Sequence, residues 1–126
     1  MILALLLALV HPAPALVAQA APVVKRYHTE IRPRFQAFGY TGEMQITIQN
    51  GYVNGTYRPD TGGRLETVRG GRQGSDIWFD IATLGGVHIA GKMKPDGSII
   101  GYGAPLGPKA GQYVFTATPE ASPSPP

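Results

Sequence analysis

The feature that most constrains the fold is a run of alternating side chains on both sides of Asn50-Gly51. Between Tyr40 and Gln49, apolar and polar residues alternate, which is typical of a strand with one buried face. Asparagine and glycine both tolerate the positive φ that a two-residue hairpin turn requires. Such a turn fixes the register, because a slip of one residue would set apolar against polar side chains. The predicted pairs are Ile48 with Val53, Ile46 with Gly55, Met44 with Tyr57, and Glu43 with Arg58.

Turn-forming residues divide the rest of the chain into short segments. The sequence has 17 glycines and 12 prolines in 126 residues, and after Pro22 no stretch repeats apolar residues at helical spacing. Seven strands are predicted, or eight if the N-terminal arm supplies a short one at 34–38. The segment 64–70 alternates imperfectly, because Leu65 and Val68 fall on opposite faces, and this predicts a bulge.

Two further hairpins follow from the same alternation. Asp76–Ile81 is expected to pair with Val87–Met93, and a three-residue turn at 95–97 is expected to align the next strand, 98–104. The predicted pairs are Ile81 with Val87, Phe79 with Ile89, Ile77 with Gly91, Met93 with Ile99, and Ala90 with Tyr102.

Glycine recurs at inward positions of these strands. The pattern Val53-x-Gly55-x-Tyr57 returns as Ile89-x-Gly91-x-Met93 and in part at 99–103. Glycine weakens a strand, but in a small closed sheet it allows sharp coiling and leaves room for large side chains. The sequence therefore predicts an all-β fold, a small antiparallel up-and-down (meander) β-barrel of seven to eight strands, with a two-sheet β-sandwich as the alternative. The expected interior residues are Met44, Ile46, Ile48, Val53, Tyr57, Leu65, Ile77, Phe79, Ile81, Val87, Ile89, Met93, Ile99 and Phe115.

One segment resembles the opening hairpin of the avidin family, whose members are biotin-binding eight-stranded barrels. The resemblance consists of Met44-x-Ile46-x-Ile48-x-Asn50 followed by Gly51-x-Val53-x-Gly55-Thr56-Tyr57. It implies a lipocalin- or avidin-like architecture, and it places Tyr57 where that family has a tyrosine in contact with biotin. The family's ligand-stacking tryptophans have no counterparts beyond Trp78, and the later strands do not align. The resemblance therefore bears on the fold alone.

The two ends of the chain differ in composition from its centre. Residues 1–20 predict a cleavable signal peptide. The apolar run after Met1 is too short to span a bilayer, but it has the length of the apolar region of a signal peptide. Ala18 and Ala20 supply the small residues expected before a cleavage site. Residues 21–38 are expected to form a basic arm with a possible edge strand, 39–118 the β-barrel domain, and 119–126 a disordered Pro/Ser tail. The predicted localisation is secreted or periplasmic.

Cysteine content and charge narrow the classes of function. The chain has no cysteine, which excludes a thiol nucleophile and a Cys-ligated metal. The formal net charge of +3 falls in the arm, where four basic residues accompany Glu30. Such an arm is either a solvated leader or a contact for an anionic partner. Export and the lack of a recognition motif argue against nucleic acid. No cofactor, metal site or membrane anchor is predicted.

The predicted register brings aromatic residues together on the outer face. Trp78, Ala90 and Tyr102 form a row across three strands, a candidate contact patch for a protein, glycan or lipid partner. Alternatively, Phe35 and Phe38 of the arm cover this row. If the turn at 95–97 were one residue longer or shorter, the register would shift and Tyr102 would point inward.

A polar pair, Asp80 with His88, is predicted on the same face and is the one candidate for catalysis. A carboxylate can orient an imidazole for base catalysis, but no serine motif or second metal ligand accompanies the pair. A solvated cross-strand pair is the expected interpretation. Three hypotheses follow: a non-enzymatic binding or interaction module, a carrier of a small apolar ligand in the barrel mouth, and, remotely, a hydrolase using Asp80 and His88.

Overall fold

The computed structural model describes residues 22–83, 86–105 and 112–121. Each strand in these ranges pairs antiparallel with the next, and the last pairs with the first, so the sheet is a closed barrel. The predicted meander barrel is confirmed, with eight strands. The sandwich alternative is wrong, because a sandwich has open sheet edges and every strand here is paired on both sides. The strands are β1 Lys25–Pro33, β2 Tyr40–Gln49, β3 Tyr52–Pro59, β4 Glu66–Gln73, β5 Asp76–Ile81, β6 Val87–Met93, β7 Ile99–Pro105 and β8 Tyr113–Pro119.

Some predictions concern residues beyond these ranges. The predicted signal peptide, with Ala18 and Ala20, lies outside the described residues, as does most of the Pro/Ser tail. The start of that predicted tail is ordered, because β8 includes Pro119 and the Glu120 N–H donates to the Arg26 carbonyl at 2.9 Å. In the described part of the chain, no helix has the length and apolar character needed to cross a membrane.

The first strand lies earlier than the sequence predicted. We expected a short edge strand at 34–38, but β1 spans Lys25–Pro33 and pairs with both β2 and β8. Tyr27, Thr29 and Ile31 alternate inward along it and are buried. The predicted arm is therefore a barrel strand that closes the sheet, and it is not an edge. Because its outward residues are the polar and charged Arg26, His28, Glu30 and Arg32, its composition resembles that of a solvated leader.

The Asn50-Gly51 hairpin has the predicted turn and register. Asn50 has a φ of 53° and Gly51 a φ of 79°, as a two-residue turn between twisted strands requires. All four predicted cross-strand pairs occur between β2 and β3. The Tyr57 side chain points into the barrel and is buried.

Two inward glycines mark places where neighbouring strands approach closely. A Cβ added at Gly55 would lie 1.8 Å from the Gln45 carbonyl oxygen, and one added at Gly70 would lie 1.8 Å from the Trp78 carbonyl oxygen. No side chain fits at these distances, because the atoms in the way belong to the backbone of the next strand. Glycine therefore lets the sheet coil tightly enough to close.

Large side chains fill the barrel interior. Phe79 and Phe115 meet edge to face, with ring centroids 5.4 Å apart. The prediction for β4 was wrong at Leu65, which precedes the strand and is 55% exposed, whereas Val68 is fully buried. The buried apolar residues are Tyr27, Ile31, Met44, Ile46, Val53, Tyr57, Val68, Ile77, Phe79, Ile81, Val87, Ile89, Met93, Ile99, Phe115 and Ala117.

Stability should fall at alkaline pH because two interior tyrosines resist ionisation. Burial raises the pKa of Tyr27 and of Tyr57 above the usual 10.0. The unfolded chain therefore releases these protons first, so its free energy falls relative to the folded state as pH rises. The contribution of these two tyrosines to the free energy of unfolding is complete below about pH 10. It is lost as the pH rises through their pKa values in the folded state.

Urea unfolding at several pH values tests this expectation. The midpoint should fall above about pH 10, and Tyr57→Phe should reduce the fall. Tyr40→Phe, a change at a half-exposed tyrosine, should leave the profile unchanged. A midpoint constant to about pH 11 would contradict the expectation.

Candidate binding groove on the outer face

Three neighbouring strands place the predicted aromatic row on the outer face. Trp78 of β5 pairs with Ala90 of β6, which pairs with Tyr102 of β7. Trp78 is 40% exposed and Tyr102 is 64% exposed. The predicted register is therefore confirmed, and both aromatic side chains point away from the core.

The turn between β6 and β7 decides that Tyr102 faces outward. The Lys94 N–H donates to the Ser98 carbonyl at 2.8 Å, which leaves the predicted three-residue turn between them. Ser98 donates its hydroxyl and its backbone N–H to the Asp96 carboxylate, at 2.6 and 2.8 Å. These hydrogen bonds hold the pKa of Asp96 below its usual value. The charged carboxylate thus stabilises the turn that sets the register of β7.

A groove of about 670 Å³ lies along this row. Trp78 and Tyr102 stand on either side of it, separated by the small side chain of Ala90. Gly91 and Gly101 are paired across β6 and β7 and contribute backbone alone to the lining. Small residues between two large rings therefore create the concavity.

The position of Trp78 depends on a glycine of the preceding strand. Gly71 pairs with Trp78, and a Cβ added at Gly71 would lie 2.5 Å from the indole Cζ2 atom. The indole therefore packs over Gly71, on the side away from Ala90. This contact, in which an aromatic ring covers a glycine of the adjacent strand, leaves space above Ala90.

One end of the groove is charged. Lys92 of β6 forms an ion pair with Asp76, which lies opposite it on β5, and Lys94 lies beside them. Ile100 is 42% exposed and adds apolar surface at the same end. Two lysines against one aspartate give this end a net positive charge.

The predicted cover for the row is absent among the described residues. Phe35 and Phe38 are 95% and 86% exposed, and neither lines the groove. They lie in the connection from β1 to β2. Because connections in a meander alternate between the two ends of the barrel, this connection and the turn at Lys94 lie at opposite ends.

The second predicted pair is also in place. His88 Nδ1 and Asp80 Oδ1 lie 2.5 Å apart on the solvated face, with both side chains about half exposed. The residues paired with them on the next strands are Arg69 and Ala104. Neither is a nucleophile, so these cross-strand neighbours add no catalytic group to the pair.

A different cluster provides potential metal ligands that the sequence did not indicate. His28, Glu43 and Glu120 each offer one ligand atom, and these atoms lie within 4.8 Å of one another. Both His28 and Glu43 are exposed, and exposed acidic groups commonly lie close together without an ion. The cluster depends on the pairing of β1 with β2, which the sequence did not reveal because β1 was misplaced.

Comparison with known proteins adds no family to this description. No protein-family model and no curated protein sequence matches the chain.

Proposed function

We propose that this protein is an exported, non-enzymatic binding module that holds a segment of a partner protein in the groove between Trp78 and Tyr102. The observation that carries the proposal is the pair of exposed aromatic side chains facing each other across Ala90. Tryptophan and tyrosine are enriched among the residues that dominate binding energy at protein interfaces. A groove between two such side chains supplies a pocket for an apolar anchor.

The charged end of the groove indicates the chemistry of the partner. Lys94 and the Lys92–Asp76 pair leave an excess positive charge beside apolar Ile100. A partner segment that places an apolar side chain between the rings would be complemented by a carboxylate at this end. The proposed ligand is therefore a peptide with a large apolar residue followed closely by an acidic one.

Packing of the interior favours this groove over the carrier hypothesis. A carrier that held its ligand inside the barrel would need space there, whereas Phe79 and Phe115 meet edge to face within the buried core. A hollow of about 410 Å³ does lie at the end where β1 begins, but charged Lys25, Arg26 and Asp96 line it beside the apolar residues. Native mass spectrometry of protein from its own host tests the alternative, since a retained small molecule would support the carrier.

Loss of either aromatic side chain should weaken peptide binding. In titration calorimetry with synthetic peptides that carry Phe-Asp or Leu-Asp in a Gly/Ser background, Tyr102→Ala should lower affinity about 30-fold or more, and so should Trp78→Ala. Tyr52→Ala is the matched control, because Tyr52 is an exposed tyrosine on β3 that does not line the groove. An equal loss in the control, or binding of oligosaccharides in preference to all peptides, would contradict the proposal.

Export is the second part of the proposal. The apolar run after Met1 and the small residues Ala18 and Ala20 support cleavage after Ala20. Intact mass measurement of the protein from medium or periplasm should give a chain that begins at Ala21. A secreted form that retains Met1 would contradict the cleavage.

A further inference from the structure

We propose that the end of the barrel bearing Phe35, Phe38 and Leu65 docks on an anionic phospholipid membrane surface. This role goes beyond peptide binding in the groove and uses a different surface. The β1–β2 and β3–β4 connections lie at the same end of the meander, and they present these three apolar side chains to solvent. Their exposed fractions are 95%, 86% and 55%.

Hydrogen bonds hold the β1–β2 connection in a shape that keeps both phenylalanines outside. The Gln36 N–H donates to the Pro33 carbonyl at 3.0 Å, and the Arg32 guanidinium donates to the Gln36 carbonyl at 2.9 Å. Arg34 donates through its backbone N–H and its guanidinium to Gln112, at 3.0 and 2.7 Å. These hydrogen bonds engage Arg34 and the backbone of Gln36 within the protein, whereas the side chains of Phe35 and Phe38 are exposed.

The charge of this end suits a bilayer with anionic headgroups. Arg34 and Arg64 lie in the two connections together with one acidic residue, Asp60. The Arg34 guanidinium carbon lies 5.8 Å from the centre of the Phe35 ring, so a cation is held beside an apolar group. Apolar side chains that enter the interface next to arginines are the combination that binds peripheral proteins to anionic membranes.

The opposite end of the barrel has a different composition. Its turns are Asn50-Gly51, Gly74-Ser75 and the three residues 95–97, which are Pro, Asp and Gly. These turns are short and lack large apolar side chains. Val23 and Val24, which precede β1 at this end, are 73% and 53% exposed, so apolar exposure alone does not distinguish the two ends. The distinguishing feature is the pair of exposed phenylalanines beside an arginine, and it indicates an orientation with Phe35 and Phe38 toward the membrane.

Vesicle co-sedimentation tests the proposal. The protein is used in the form that its host accumulates, with vesicles of equal parts phosphatidylcholine and phosphatidylglycerol or of phosphatidylcholine alone. Binding is expected with the anionic vesicles and should weaken as salt is added. The double change Phe35→Ser with Phe38→Ser should lower the partition coefficient by about tenfold or more for each residue, and Arg34→Gln should weaken binding to anionic vesicles.

Tyr52→Ser is the matched control, because Tyr52 is 68% exposed and lies beside the Asn50-Gly51 turn at the other end. It should bind vesicles as the unchanged protein does. All variants share one N terminus, so any contribution from it cancels in the comparison, and thermal melts confirm folding. No binding by the unchanged protein, equal loss in Tyr52→Ser, or binding unaffected by the double change would overturn the proposal. None of these outcomes bears on peptide binding in the groove.

Discussion

Phe79→Ala should lower the free energy of unfolding by about 3–5 kcal/mol. The Phe79 ring is 1% exposed and packs edge to face against Phe115 at the centre of the barrel. Its removal leaves a cavity that a closed sheet cannot collapse to fill, because every strand is hydrogen-bonded on both sides. Urea unfolding measures the loss as a lower midpoint.

The neighbouring residue supplies the control. Trp78 is the larger side chain, but it lies on the outer face at 40% exposure. Trp78→Ala should therefore lower the free energy of unfolding by only about 1 kcal/mol, which is typical of a single substitution. The loss comes from removing the indole ring that covers Gly71. Equal losses for the two substitutions, or a larger loss at Trp78, would mean that the faces of β5 are assigned wrongly.

Gly55→Ala should destabilise the barrel by about 3 kcal/mol, although the change adds a single methyl group. The new Cβ would lie 1.8 Å from the Gln45 carbonyl oxygen and 2.8 Å from the Ile46 Cα. Relief requires β2 and β3 to move apart, which would lengthen the hydrogen bonds of the hairpin. Thermal unfolding and urea unfolding both report the loss.

Asn54→Ala is the comparison for this change. Asn54 is exposed on the outer face one residue away, and its substitution should alter stability by less than about 0.5 kcal/mol. If Gly55→Ala were tolerated as well as Asn54→Ala, the close approach of β2 and β3 would not be the reason for glycine at this position.

The sequence predicts the barrel well where one residue type decides the local geometry. Asn50-Gly51 admits one turn, and that turn fixes every pair of the β2–β3 hairpin. The turn at 95–97 acts in the same way for β7. Prediction fails where composition and pattern disagree. In β1, the alternation of Tyr27, Thr29 and Ile31 is clear, but the polar and charged residues that lie between and around them indicate a solvated arm.

The candidate site was predictable only in part, for a related reason. Cross-strand register places Trp78, Ala90 and Tyr102 in one row, and this follows from the turns. The groove also depends on Gly71, whose pairing with Trp78 requires the register of β4. The sequence did not indicate that register, because its pattern places both Leu65 and Val68 in the strand. Leu65 lies in the β3–β4 connection, and Val68 is the one of the two that faces the core. The end of the barrel that bears Phe35, Phe38 and Leu65 could not be recognised from the sequence. Its side chains come from two separate connections, and only the order of the strands in the barrel places these at the same end.

Fluorescence of Trp78 offers the most direct measurement on the proposed groove, because the chain contains one tryptophan. Addition of a Phe-Asp peptide should shift its emission to shorter wavelength in a saturable way, since the ligand would exclude water from the indole. A peptide with Lys in place of Asp should bind more weakly, and Tyr102→Ala should largely abolish the shift. Emission unchanged by every peptide, or shifted equally in Tyr102→Ala, would contradict a binding site between Trp78 and Tyr102.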